Sequence, residues 1–97
     1  MLSANRLKQI QSLKTKKGRL KENLFLIEGK RSLKEYLQKS ELLEQVIITD
    51  SEASQNTDLL NLCSEKKVDL TIIQAKLLKT ISDTKTPSGL IGICKID

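Results

Sequence analysis

Leu24-Phe25-Leu26-Ile27-Glu28-Gly29-Lys30-Arg31 is the stretch that decides the fold. Its four apolar residues follow one another without polar alternation, the pattern of a strand buried on both faces. Glu28-Gly29 closes the run, and the glycine lets the chain turn sharply into the next element. A helix over 30–39 follows, because Leu33, Tyr36 and Leu37 share one face at i, i+3 and i+4. Cations flank the strand at both ends. Five lie in Lys14-Thr15-Lys16-Lys17-Gly18-Arg19-Leu20-Lys21, and Lys30 and Arg31 come after the glycine. A rigid strand with Lys and Arg at its ends presents charge well to a phosphate backbone.

Upstream, residues 4–17 read as a helix with a narrow apolar stripe of Leu7, Ile10 and Leu13, extended by Leu20. Ser3 or Asn5 is placed to cap it, and Gly18 to stop it. So thin a stripe suggests an appendage lying on the domain rather than part of its centre. Downstream, strands are expected over 44–49, 68–73 and 90–96. Helices are expected over 57–67, around Leu59, Leu60, Leu62 and Cys63, and over 75–81, around Leu77, Leu78 and Ile81. The polar segments 50–56 and 82–88 read as loops. Strands alternating with helices imply an α/β domain with a largely parallel sheet covered on both faces. The chain reaches Asp97 directly after its last strand, which suggests the front part of something longer.

A length of 97 residues suits one compact domain. The 38% hydrophobic content is mostly Leu, Ile and Val, with one Phe, one Tyr and no Trp, so the core must be aliphatic. The net charge of +5 is uneven, at +8 over residues 1–39 and −3 over residues 40–97. This asymmetry points to one face made for an anionic partner. Cys63 and Cys94 sit in apolar stretches, as small hydrophobes of a reducing compartment do; a disulfide is the alternative. The polar N-terminus lacks the apolar core of a signal peptide, and no apolar run reaches membrane-spanning length. A cytoplasmic protein without a membrane partner is expected.

The sequence contains no His for general acid–base work, no GxSxG elbow, no Walker loop and no GxGxxG. Gly89 and Gly92 read as a turn and a close packing contact. Asp83 reads as shaping its loop, and Glu28 as the partner of a nearby cation. Lys8 and Lys34 read as solvated. Arg31, at a strand end where backbone amides and a guanidinium converge, suits a phosphate; a salt bridge to Glu28 or Glu35 is its alternative. The Lys14–Lys21 run reads as an electrostatic grip, with a disordered basic connector as its alternative. So few aromatics argue against stacking of single strands, and structured RNA fits better.

The order of segments resembles a known family. Asn5 stands in a basic Leu/Ile-rich helix, followed by Lys16-Lys17-x-Arg19, then Phe25-Leu26-Ile27-Glu28-Gly29-x-Arg31. Ile81-Ser82-Asp83-Thr84-Lys85-Thr86-Pro87-Ser88-Gly89-Leu90-Ile91-Gly92 closes the set. Nearly the whole chain resembles the N-terminal substrate-binding domain of SpoU/TrmH-type RNA 2′-O-ribose methyltransferases. The resemblance implies a small three-layer α/β/α sandwich like that of kink-turn-binding ribosomal proteins, preceded by a basic helix. It divides the chain into a basic helix and loop over 1–21 and an RNA-binding domain over 22–97. It implies that rRNA or tRNA is gripped here. Methyl transfer, S-adenosylmethionine and dimerisation belong to a following domain that these residues do not include, so no catalytic residue and no cofactor are expected in them. Lys16, Lys17, Arg19, Glu28, Gly29 and Arg31 match the first motif, and Thr84, Pro87 and Gly89 the second. Ser88 departs from the Gln frequent at its position. With Lys14 and Lys21 added from the charge pattern, these residues form the candidate RNA contact set. A stand-alone kink-turn binder and a protein-docking domain are the other readings.

Overall fold

The computed structural model describes residues 2–96; Met1 and Asp97, the outer ends of the two expected segments, lie outside the described residues. The elements run α1 (Ala4–Ser12), α2 (Lys16–Glu22), β1 (Leu24–Glu28), α3 (Lys30–Lys39) and β2 (Leu43–Thr49). They continue with α4 (Asp50–Gln55), α5 (Thr57–Glu65), β3 (Asp69–Ile73), α6 (Ala75–Ile81) and β4 (Leu90–Lys95).

The four strands form one sheet in the order β1-β4-β2-β3. β2 and β3 pair in parallel, whereas β4 runs antiparallel to both of its neighbours. The expectation of a largely parallel sheet therefore holds for the direction of three strands and for the β2–β3 ladder, and fails for the two ladders that β4 makes. The reason lies in the connection. Residues 82–89 deliver the chain to the end of the sheet where β1 and β2 finish, with Ile91 opposite Glu28 and Leu90 opposite Ile48. A parallel entry would start at the far end, so a strand that starts here runs antiparallel to both neighbours. β4 threads back between the two strands instead.

Alternation along the strands sorts side chains to two faces. On one, Val46, Ile48, Leu90 and Cys94 pack against Leu33 and Leu37 of α3, Ala53 of α4, and Leu59 and Cys63 of α5. On the other, Leu24, Ile47, Ile91 and Ile93 pack against Ile10 of α1 and Leu13 at its C-cap, and Leu78 and Ile81 of α6. This is the expected three-layer sandwich. α3 approaches the sheet closely because Gly92 leaves room for it. A Cβ there would overlap Leu33 and come within 2.9 Å of Ile27 and Leu43.

Three local expectations are corrected. The helix over 4–17 is two helices. Thr15 breaks it by capping a new one, its hydroxyl accepting from the Gly18 amide at 3.0 Å. Gly18 stops nothing; it sits inside α2, where a Cβ would overlap the Ser12 carbonyl oxygen, and so lets α2 lie against the end of α1. Leu20 consequently faces solvent at 66% exposure and leaves the apolar stripe. Secondly, α1 is no appendage. Ile10 and Leu13 are buried in the second core, each stabilising by roughly 1.5–3 kcal/mol relative to exposure. Thirdly, the loop expected over 50–56 contains α4. Thr49 accepts from the Glu52 amide at 3.4 Å in a Thr-x-x-Glu capping arrangement.

Candidate functional site

β1 delivers Glu28 to the end of the sheet, and Gly29 turns the chain into α3. Gly29 has φ +96°, a backbone that residues with a Cβ rarely adopt, and its amide donates to the Leu90 carbonyl at 3.0 Å. The turn therefore sits beside the start of β4, where the second motif ends. The contact between the motifs is direct. Ser82, at the end of α6, donates its hydroxyl to Glu28 Oε1 at 2.6 Å. With that proton committed, Ser82 Oγ accepts from the Thr84 hydroxyl at 3.1 Å and from the Thr84 amide at 3.2 Å. A half-buried carboxylate thus fixes the first turn of the loop over 82–89.

Arg19 stands beside this cluster. With Leu13, Phe25, Leu26, Glu28, Asp83 and Thr84 it lines a cleft of about 420 Å³. Its Nη1 donates to the Leu13 carbonyl at 3.0 Å, fastening α2 to the end of α1. Lys14, Lys16 and Lys17 are exposed at the adjoining start of α2. Among the described residues none of the three, nor Arg31, forms an ion pair.

The alternative expected for Arg31 does not form. Glu28 is held by Ser82, and Glu35 pairs with Lys39 at 3.4 Å. Glu28 itself was expected to face a cation and takes a hydroxyl instead. Lys34 is not merely solvated. It approaches Asp58 at 2.5 Å, and Lys30 approaches the same carboxylate at 3.5 Å. Lys34 above all, with the Leu59 amide and Lys30, holds the Asp58 carboxyl down at about 2.

The structure thus gathers Arg19, Glu28, Gly29 and Thr84 at one end of β1, with Lys14, Lys16, Lys17 and Arg31 on the elements that adjoin it. It sends the remaining candidates elsewhere. Lys21 faces a groove between α1 and α2, beside Asn5 and Lys8. Pro87 and Gly89 border a different hollow, with Thr49, Glu52 and Lys79. Gly89 has φ +83°, and a Cβ there would stand 2.8 Å from Glu52 Cγ, so its part is to let the loop pass α4. Sequence reasoning gave Ser82 no role. Its signal was a hydroxyl directly after the last apolar residue of a helix, where side chains bond back to the backbone or to a neighbour. Among the described residues no cluster of His, Cys, Asp and Glu could hold a metal ion, and no helix is long and apolar enough to cross a membrane.

The model of the MRM3-like substrate binding domain matches residues 4–92, both motifs included. The chain belongs to this family. One relative of this substrate binding domain is the 23S rRNA (guanosine(2553)-2′-O)-methyltransferase RlmP of Bacillus subtilis, 27% identical over 89 residues. That match takes in 92% of this chain and 34% of the relative. The fold is similar to that of an RNA methyltransferase of the TrmH family from Porphyromonas gingivalis, at TM-score 0.74 and 26% identity, over 99% of this chain and 36% of that one. The AdoMet-bound rRNA methyltransferase of Sinorhizobium meliloti shares the fold at TM-score 0.76 and 18% identity, over 100% of this chain and 36% of that one. The substrate binding domain described here therefore spans about a third of the length of these relatives.

Proposed function

We propose that this domain grips structured rRNA or tRNA for a SpoU/TrmH-type 2′-O-ribose methyltransferase acting in the cytoplasm. Methyl transfer, S-adenosylmethionine and dimer contacts belong, in this reading, to sequence beyond the third that these residues represent. None of the residues described here is asked to hold the cofactor. One observation carries the reading: the Glu28–Ser82 bond joins the two motif segments at the end of β1, next to elements whose Lys14, Lys16, Lys17 and Arg31 form no ion pair among the described residues.

The chemistry is that of positioning. Lys14, Lys16, Lys17 and Arg31 meet phosphate oxygens, which fixes the RNA without reading its sequence. Arg19 has one guanidinium nitrogen on the Leu13 carbonyl, and its remaining N–H groups are available to the cleft. Gly29 and Thr84 shape the surface, and Glu28 holds it.

The test is binding of a labelled 23S rRNA stem–loop fragment and of bulk tRNA across a salt series. Neutralising four to five phosphates gives a log–log slope on the order of −3 to −4. Lys16→Ala/Lys17→Ala/Arg19→Ala should weaken binding and flatten that slope. Salt-independent affinity, or an unchanged triple variant, would remove this surface from the function. Preference for a kink-turn RNA over the rRNA fragment would favour a stand-alone kink-turn binder.

A further inference from the structure

We propose that the groove between α1 and α2 is a second contact for the RNA sugar–phosphate backbone, with Asn5, Lys8 and Lys21 as its binding rim; this rests on the RNA-gripping reading above. The groove has a volume of about 560 Å³ and is lined by polar residues and Gly18. Its floor is closed by internal bonds. Arg6 donates to Gln9 Oε1 at 2.6 Å, to Gln45 Oε1 at 2.9 Å and to Glu44 Oε2 at 3.2 Å. Gln9 in turn donates to Glu22 Oε1 at 2.9 Å. The two floor groups of opposite sign, Arg6 and Glu22, are thereby both engaged.

The rim differs. Asn5 and Lys8 lie one turn apart on α1, and Lys21 faces them from α2. All three are exposed, and neither lysine has an ion-pair partner among the described residues. Two ammonium groups and an amide thus border a hollow whose one carboxylate among the described residues, Glu22, is already hydrogen-bonded. That arrangement suits a phosphodiester, which offers several acceptor oxygens and one negative charge.

The groove also shares α2 with the proposed interface. Gly18 holds α2 against Ser12, so the helix has one place to lie. Lys17 and Lys21, four residues apart on α2, share a face and stand about 6 Å apart along its axis, at a rise of ~1.5 Å per residue. A strand gripped at Lys16 and Lys17 can follow α2 into the groove. The cationic helix becomes a track for a strand rather than a single point of attachment.

The experiment is the salt dependence of binding of a fluorescein-labelled rRNA stem–loop to the 97-residue chain, with Lys8→Ala/Lys21→Ala and Lys8→Arg/Lys21→Arg. The alanine pair should reduce the slope by about 1.4–1.8, for two phosphates at roughly 0.7–0.9 each. The arginine pair should keep the slope. Thermal melts of both should match the parent, because the two lysines form no ion pair among the described residues. A slope unchanged by the alanine pair, with the parent still binding, overturns the groove and leaves the first interface standing. Failure of the parent to bind any RNA overturns both.

Discussion

Ser82 donates its hydroxyl to Glu28 Oε1 at 2.6 Å across 54 residues of sequence, and this bond ties the end of α6 to the end of β1. A hydrogen bond to a carboxylate is worth about 1.5–3 kcal/mol, and partial exposure places this one toward the lower end. Ser82→Ala should destabilise the domain by roughly 1–2 kcal/mol. For a chain of this size that lowers the melting temperature by about 5–15 °C. The same variant should loosen residues 83–88, because the Thr84 amide and hydroxyl both bond to Ser82 Oγ. Hydrogen exchange at the Thr84 amide is the readout; unchanged protection would show that the loop is fixed by something else.

Gly18 supplies a second expectation. Its Cβ position falls on the Ser12 backbone oxygen, which cannot move aside as a side chain would. Gly18→Ala should push α2 off the end of α1, although alanine favours helix more than glycine does. The expected cost is about 1–3 kcal/mol, the range for overpacking a well-filled contact. RNA affinity should fall with it, since α2 carries Lys16, Lys17 and Arg19. A variant more stable than the parent, as propensity alone would give, would show that α2 is not held at Gly18.

The basic helix shows what the sequence could and could not carry. A glycine after a run of helix-compatible residues reads as a stop, but Gly18 lies inside α2. The deciding signal was Thr15, whose hydroxyl begins a new helix three residues before that glycine. α4 escaped because Ala53 is its only buried apolar residue, too little for any periodicity, yet Thr49-x-x-Glu52 announced its start. β1, α3, β2, α5, β3 and α6 were legible because their apolar spacing is strong. β4 was legible as a strand but not in its place. Strand order is set by the path of the loop, and the one local trace of a central position was Gly92. Both halves of the site were visible as motifs. Their meeting at Ser82 was not, because a contact across 54 residues leaves no local pattern.

Asp58 gives an acid-limb expectation. Its carboxyl is held at about 2, below the ordinary 3.8, chiefly by Lys34. A depressed folded value means stabilisation present above the unfolded value and lost as pH falls through the folded one. The stability gap between the parent and Asp58→Asn should therefore be constant from neutral pH down to about 4 and close between about 4 and 2. Urea denaturation at stepped pH measures it. A gap that persists below pH 2 would show that it does not arise from the charge that Lys34 stabilises.

Both cysteines are buried and free, and burial pushes the Cys94 thiol up to about 12 and the Cys63 thiol up as well. The thiolate is the reactive species. At pH 8 neither should react with a disulfide reagent in the folded domain, and both should react at once in denaturant. The native reaction rate should follow the population of the opened form. Rapid labelling of either cysteine without denaturant would show that the first core opens locally.

Arg31 and Lys34 lie on the same helix and should separate binding from folding. Lys34 contacts Asp58 at 2.5 Å, whereas Arg31 forms no ion pair among the described residues and projects from the first turn after Gly29. Arg31→Ala removes nothing the fold uses, so stability should stay within about 0.5 kcal/mol of the parent. If Arg31 meets a phosphate, the lost charge-assisted bond of about 1.5 kcal/mol or more weakens RNA binding about tenfold. Arg31→Lys should recover only part of this, because an ammonium keeps the charge and loses the two-pronged geometry. Lys34→Ala should do the reverse, lowering stability at neutral pH while leaving affinity nearly unchanged. Equal losses of affinity in the two alanine variants would mean that the RNA senses only the net charge of α3, and the case for a phosphate seat at the turn after β1 would fall.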